Sequence, residues 1–162
     1  MPKAAKALFL DRDGTINEER NYLYKTSDFK FVDSTVELCK LAQDKGFLLI
    51  VITNQSGVER GFYTIEDMNN CNSYMVTEFA KKGIKITDVF CCPYLSDSHP
   101  DRKPNPGLFL KAIEKYDIDI DKSYSYGDKE RDIEAAKAAG IKNNYLITQF
   151  DVIKNELINE NN

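Results

Sequence analysis

Asp11 and Asp13 stand two residues apart in Phe9-Leu-Asp-Arg-Asp-Gly-Thr15, directly after an apolar run. Side chains alternate along an extended stretch, so both carboxylates project to one side. Gly14 then lets the chain turn sharply. Two carboxylates this close cannot both stay unpaired, so they imply a cation or a shared proton. Magnesium suits an all-oxygen site built from one or two carboxylates, a substrate phosphate and waters. Taken alone, the pattern is equally a solvated acidic turn.

Three further clusters carry groups of the same chemistry. Thr53-Asn-Gln-Ser-Gly57 offers hydroxyls, amides and free backbone N–H groups that suit a phosphate, although such a run by itself is a turn. Arg102-Lys-Pro-Asn-Pro106 places two cations before a helix start, where the helix dipole also favours anions; its bland alternative is a solvated basic loop. Gly127-Asp-Lys-Glu-Arg-Asp132 sets Asp128 at a strand end and Asp132 one helical turn later, where a carboxylate also suits the first turn of a helix. Each is weak singly; four at strand or loop ends along one rim are a constellation.

The elements that must hold these clusters alternate between strand and helix. Strands are expected at 7–10, 47–52, 86–91, 123–126 and 144–147, from short apolar runs bounded by turn residues. Ser34-Thr-Val-Glu37 reads as a capping box opening a helix that Gly46 closes. Thr64-Ile-Glu-Asp67 opens a second helix ending at Gly83. A third starts with Pro106 at its first helical position and runs to Tyr116, and an alanine-rich fourth spans 129–139. Residues 14–33 read as an ordered loop, and 150–162 as a peripheral tail with a short, fraying helix. This order predicts an α/β fold: a parallel sheet between two helical layers, Rossmann-like, in a single domain over 1–162. Ligands bind such sheets beyond the carboxyl ends of the strands, where the strand order reverses.

The four blocks resemble the haloacid dehalogenase superfamily of phosphatases. DRDGT looks like its first motif, Thr53 its second, Lys103 its third and Gly127-Asp128 its fourth. The strings FLDRDGTIN, VITNQSGVERG, RKPNPG and YGDKERD further resemble the D-glycero-D-manno-heptose 1,7-bisphosphate 7-phosphatases, with histidinol-phosphate phosphatases as near relatives. The resemblance runs from Ala7 to about Thr148 and implies a haloacid dehalogenase-type core with no large cap domain. It implies Asp11 as nucleophile, Asp13 as general acid and base, and Thr53 and Lys103 on the phosphoryl oxygens. Magnesium would be held by Asp11, Asp128 and the backbone carbonyl of Asp13. The sugar phosphate would be gripped by Glu19, Arg20, Asn21, Tyr22, Asn54, Gln55, Ser56, Arg102 and Lys129, with Arg102 matched to a second phosphate. One departure concerns zinc. Where those phosphatases often carry a zinc loop, Tyr94 replaces a histidine, leaving Cys92, His99 and Asp101 as three imperfect ligands. A structural zinc wants four, so none is expected.

Composition narrows the alternatives. The chain has 162 residues, 42% hydrophobic and 30% charged, with a net charge of −4. That balance excludes a broad nucleic-acid footprint, and no apolar run reaches membrane-spanning length. The four cysteines, Cys39, Cys71, Cys91 and Cys92, form no C-x-x-C pair. Reduced thiols and a cytoplasmic location are therefore expected, with a small phosphorylated metabolite as partner and a monomeric state. A phospho-receiver domain is the competing class, but its acceptor aspartate follows the third strand, where this chain has Cys91-Cys92-Pro93. A catalytically dead binding module is disfavoured by the intact set Asp11, Asp13, Lys103 and Asp128.

Overall fold

A computed structural model of the chain describes residues 4–161. The expected domain falls within them, except for residues 1–3 and 162. Five strands form one parallel sheet: β1 (Ala7–Leu10), β2 (Leu48–Asn54), β3 (Asp88–Cys92), β4 (Tyr124–Gly127) and β5 (Asn143–Leu146), in the spatial order β3-β2-β1-β4-β5. The helices between and after them are α1 (Asp33–Asp44), α2 (Ile65–Lys81), α3 (Gly107–Tyr116), α4 (Glu130–Ala138) and α5 (Phe150–Ile158).

Alternation along the buried strands divides the core between two layers. Leu8, Leu10, Leu49 and Val51 pack with Leu38, Ala42, Met75, Phe79, Ile153 and Leu157, from α1, α2 and α5. Ala7, Phe9, Ile50 and Ile52 face the other way, onto Leu108, Phe109, Ala112, Ala135 and Ala136 of α3 and α4. The sheet is thus covered on both faces. The chain winds outward from β1 to β3, then returns to β4 on the other side of β1. The strand order therefore reverses between β1 and β4, the strands followed directly by Asp11 and Asp128. The connections at this rim carry loops and two 3-10 turns, Thr26–Asp28 and Ile147–Gln149, and among the described residues they build no cap domain.

Several boundaries differ from the sequence expectation for identifiable reasons. The capping box at Ser34 is not formed, because the N-cap falls two residues earlier, at Val32, which makes no side-chain cap bond. Tertiary bonds fix the entry instead: the Val32 N–H donates to the Ile16 carbonyl (2.8 Å) and the Thr35 hydroxyl to the Thr15 carbonyl (2.6 Å). At α2 the box at Thr64 and Asp67 is present as read. Pro106 caps α3 rather than sitting in its first turn, since the Gly107 N–H is already bonded to the Pro100 carbonyl (2.8 Å). Strand β2 extends through Thr53 and Asn54, so these residues end the strand instead of following it. Within the segment read as a peripheral tail, α5 packs onto the sheet. Ile153 and Leu157 of α5 are fully buried in the first core layer.

Candidate active site

Asp11 leaves the carboxyl end of β1 with its backbone N–H bonded to the Tyr126 carbonyl of β4 (3.2 Å), so the side chain stands over the reversal point. Lys103 reaches it from the loop before α3. Its ammonium donates to Asp11 Oδ1 (2.9 Å), Asp132 Oδ1 (2.7 Å) and the Ile52 carbonyl (2.6 Å), and its side chain is 2% exposed. All three of its donors are thereby satisfied. The loop is fixed by Asn54, whose side-chain amide accepts from the Lys103 N–H (3.1 Å) and donates to the Lys103 carbonyl (3.2 Å).

Asp11, Asp128 and Asp132 bring ligand oxygens within 4.8 Å of one another. Three carboxylates face one buried ammonium, an excess of negative charge that burial makes costly. The Asp11 carboxyl is accordingly held well above its usual range. Burial is the main cause, with Asp132 and Asp128 adding to it and Lys103 opposing. For Lys103, burial opposes the charge, but Asp11 and Asp132 outweigh it and raise its proton affinity. Both oxygens of Asp132 have partners, since Oδ2 accepts the Lys129 N–H (3.1 Å) at the start of α4. Asp128 Oδ1, by contrast, is buried with no hydrogen-bond partner. An all-oxygen donor set with surplus negative charge and one orphaned carboxylate oxygen fits a magnesium ion. Asp11 and Asp128 are the carboxylates left to bind it, and Asp132 holds Lys103. Gly14 lines this corner: with φ +83°, it lies so close that a Cβ there would stand 2.2 Å from Asp128 Oδ2.

Asp13 does not share that cluster through its side chain. Its carboxylate accepts from Arg12, Asn17 Nδ2 (3.0 Å) and Gln55 Nε2 (2.9 Å), so the two carboxylates of D-x-D have separate cations. Only the Asp13 backbone carbonyl remains for the expected metal role. Thr53 is buried; its hydroxyl donates to the Asn54 carbonyl (3.3 Å) and accepts from Gln55 Nε2 (2.9 Å), behind the cleft wall rather than on it.

Above these groups opens a cleft of about 350 Å³. Asp11, Asp13, Glu19, Asn21, Tyr22, Asn54, Gln55, Ser56, Arg102, Lys103 and Lys129, all singled out in the sequence, line it. Arg20 does not. Its exposed guanidinium lies 3.8 Å from Glu18. Asn21 and Tyr22 both adopt left-handed backbone (φ 49° and 63°), a strain that persists where the surrounding structure enforces it. Glu19 accepts both the Arg20 and Asn21 N–H groups and supports that turn. Arg102 is aimed by Asp97 (3.1 Å) and the Tyr94 carbonyl (3.3 Å). In the loop weighed for zinc and expected to hold none, His99 stacks on Tyr94 with ring centroids 4.3 Å apart, and the Asp101 carboxylate pairs with Lys111 (2.6 Å).

Sequence reading missed Arg60, Tyr63 and Arg131 on the cleft wall, and Asp132 as the partner of Lys103. Asp132 had a legible signal in its spacing from Asp128, but a first-turn charge explained it equally well. Arg60 becomes visible only once the 56–62 loop folds back, with its guanidinium over the Tyr22 ring (5.6 Å).

Comparison with known proteins places these features in context. The haloacid dehalogenase-like hydrolase profile matches residues 15–145. Among similar proteins, the D-glycero-alpha-D-manno-heptose-1,7-bisphosphate 7-phosphatase of Campylobacter jejuni is 42% identical over 144 residues, covering 89% of this chain and 83% of that one. The D-glycero-beta-D-manno-heptose-1,7-bisphosphate 7-phosphatase of Yersinia pestis is 35% identical over 159 residues, covering 91% and 82%. Among solved structures, the D,D-heptose 1,7-bisphosphate phosphatase of B. bronchiseptica, complexed with magnesium and phosphate, superposes with a TM-score of 0.79 at 28% identity. That alignment covers 87% of this chain and 79% of the other.

Proposed function

The chain belongs to the haloacid dehalogenase-like hydrolases, and from that footing we propose that it is a magnesium-dependent phosphatase removing the 7-phosphate of D-glycero-D-manno-heptose 1,7-bisphosphate through an aspartyl-phosphate on Asp11. The observation that carries this reading is the cleft floor, where Asp11 is paired with buried Lys103 beside the open oxygen of Asp128.

In this mechanism a carboxylate oxygen of Asp11 bonds to phosphorus as the bond to the sugar oxygen breaks, and Asp13 gives that oxygen its proton. Water then attacks phosphorus and Asp13 takes a proton from it. The bond from Asp11 to phosphorus breaks, its electron pair returns to the carboxylate, and inorganic phosphate leaves. Lys103, fixed before substrate arrives, offsets charge on the phosphoryl oxygens. Magnesium, held by the Asp11 and Asp128 carboxylates and the Asp13 backbone carbonyl, would neutralise phosphoryl charge and favour the ionised form of Asp11. The second phosphate is assigned to the cleft mouth, where Arg60, Arg102, Lys129 and Arg131 outnumber Glu19. Relatives named for both anomers are similar to this chain, so the anomer is left open.

The test is phosphate release with magnesium on heptose 1,7-bisphosphate and on histidinol phosphate, with Asp11→Asn as the blank. A kcat/KM preference for the bisphosphate of about a hundredfold, ~2.7 kcal/mol of transition-state discrimination, is expected. Turnover of an aryl phosphate but of neither metabolite would remove the substrate assignment and keep the phosphatase. Wild-type rates from Asp11→Asn would remove the mechanism.

A further inference from the structure

Among the described residues Arg12 is the largest fully buried side chain, at 0% exposure, yet it carries a charge and does not line the cleft. A buried ion pair is a poor source of stability compared with apolar residues of the same volume. Its placement therefore calls for another explanation, and its contacts supply one. Arg12 Nε and Nη2 donate to Asp13 Oδ1 (3.1 and 3.0 Å), and Nη2 also to Oδ2 (3.2 Å). Asn17 and Gln55 add one donor each, at 3.0 and 2.9 Å. Those five contacts, from three side chains, fix the orientation of the Asp13 carboxylate. The far side of the guanidinium is anchored as well: Nη1 donates to Asn72 Oδ1 on α2 (2.8 Å) and Nη2 to the Leu23 carbonyl (3.0 Å). Asn72 is itself held by Cys91 of β3, with Nδ2 at 3.1 Å from Sγ.

We propose that Arg12, braced from behind by Asn72, is a positioning residue that holds the Asp13 carboxylate in place for the hydrolysis of the aspartyl-phosphate; this rests on the phosphatase reading above but on no particular sugar. In that step water forms the new bond to phosphorus and passes its proton to Asp13. The bond to Asp11 breaks and its electrons return to the Asp11 carboxylate. A planar, forked guanidinium can reach Asp13, Asn72 and Leu23 together, which a single ammonium cannot. Arg12→Lys is therefore expected to recover little of what Arg12→Gln loses.

The experiment uses p-nitrophenyl phosphate with saturating magnesium. Its good leaving group needs little protonation, so kcat/KM reports formation of the aspartyl-phosphate while kcat includes its hydrolysis. For Arg12→Gln, kcat is expected to fall roughly 10²-fold, within the usual contribution of a general base, while kcat/KM changes far less. Phosphorylated enzyme should accumulate and be visible in the intact mass. Asn72→Ala, which leaves the ion pair in place, is expected to show the same split to a smaller degree, and it carries the test should Arg12→Gln fail to fold. Equal losses in kcat and kcat/KM, or no loss in either constant, would mean that Arg12 serves the fold alone and would overturn the inference. Failure of the heptose substrate leaves this test intact. A wild-type chain inert on both p-nitrophenyl phosphate and heptose 1,7-bisphosphate would take down the phosphatase reading and this inference with it.

Discussion

Gly14 shows how little room the acidic corner leaves. Its φ of +83° is a conformation that L side chains rarely adopt, and a Cβ there would collide with the Asp128 carboxylate. Gly14→Ala is expected to push Asp128 off its position and raise the magnesium concentration for half-maximal activity roughly 10–100-fold, the usual range for changes that disturb a metal site from outside. A magnesium titration of activity, alongside a melting curve, checks this. At this scale the sequence was most legible where several clusters agree. Asp11, Lys103 and Asp128 were each weak singly, and the fold brings Lys103 onto Asp11 with Asp128 beside it. The sequence was least legible where a side chain works through another. Arg12 sits inside the motif itself, but nothing in a string of letters says that its guanidinium turns inward onto Asp13, Asn72 and the Leu23 carbonyl. Thr53 is the converse case. Its hydroxyl is the expected phosphate ligand by type, and Gln55 and the Asn54 carbonyl occupy it.

Elements were legible in kind and order, and their ends only where the cap is local. The box at Thr64 depends on residues three apart and formed as read; the start of α1 depends on carbonyls of Thr15 and Ile16, far off in sequence, and did not. Helix α5 was undervalued for the same reason. Its two inward positions, Ile153 and Leu157, carry a weak periodic signal over nine residues, yet both are fully buried against the layer that holds α1. Leu157→Ala is expected to cost about 2–5 kcal/mol, the range for truncating a core leucine. Urea unfolding measures it. A cost below 1 kcal/mol, in the range of surface substitutions near ~0.5 kcal/mol, would return the segment to the periphery. No residue of α5 lines the cleft, so kcat/KM of the folded variant should stay close to that of the wild type.

For the molecule as a whole, two facts of charge and burial set its response to conditions. The net charge is −4, yet the cleft mouth is cationic, so anionic substrate is attracted locally against a repelling surround. The thiols follow burial. Cys39 is fully enclosed, and burial pushes it from its ordinary value of 9.0 up to about 12. The folded chain keeps that proton while the unfolded chain releases it once pH passes 9.0, so the contribution is whole below pH 9.0 and fades between there and about 12. Stability is expected to fall in that window with a slope approaching ~1.4 kcal/mol per pH unit from this one group. The Cys39→Ala chain should be less stable throughout but show a shallower alkaline decline. Denaturant unfolding on either side of pH 9.0 separates the two effects.

The paired amide of Asn54 on the backbone of residue 103 has a mechanical meaning. An asparagine side chain there imitates one more residue of strand, adding a rung to the sheet beyond the last true one and clipping a loop to it. The ammonium of Lys103 is consequently carried by something as stiff as the sheet. In the proposed role of Lys103, the order required for a phosphate to find its cation is laid down when the chain folds rather than when the substrate arrives.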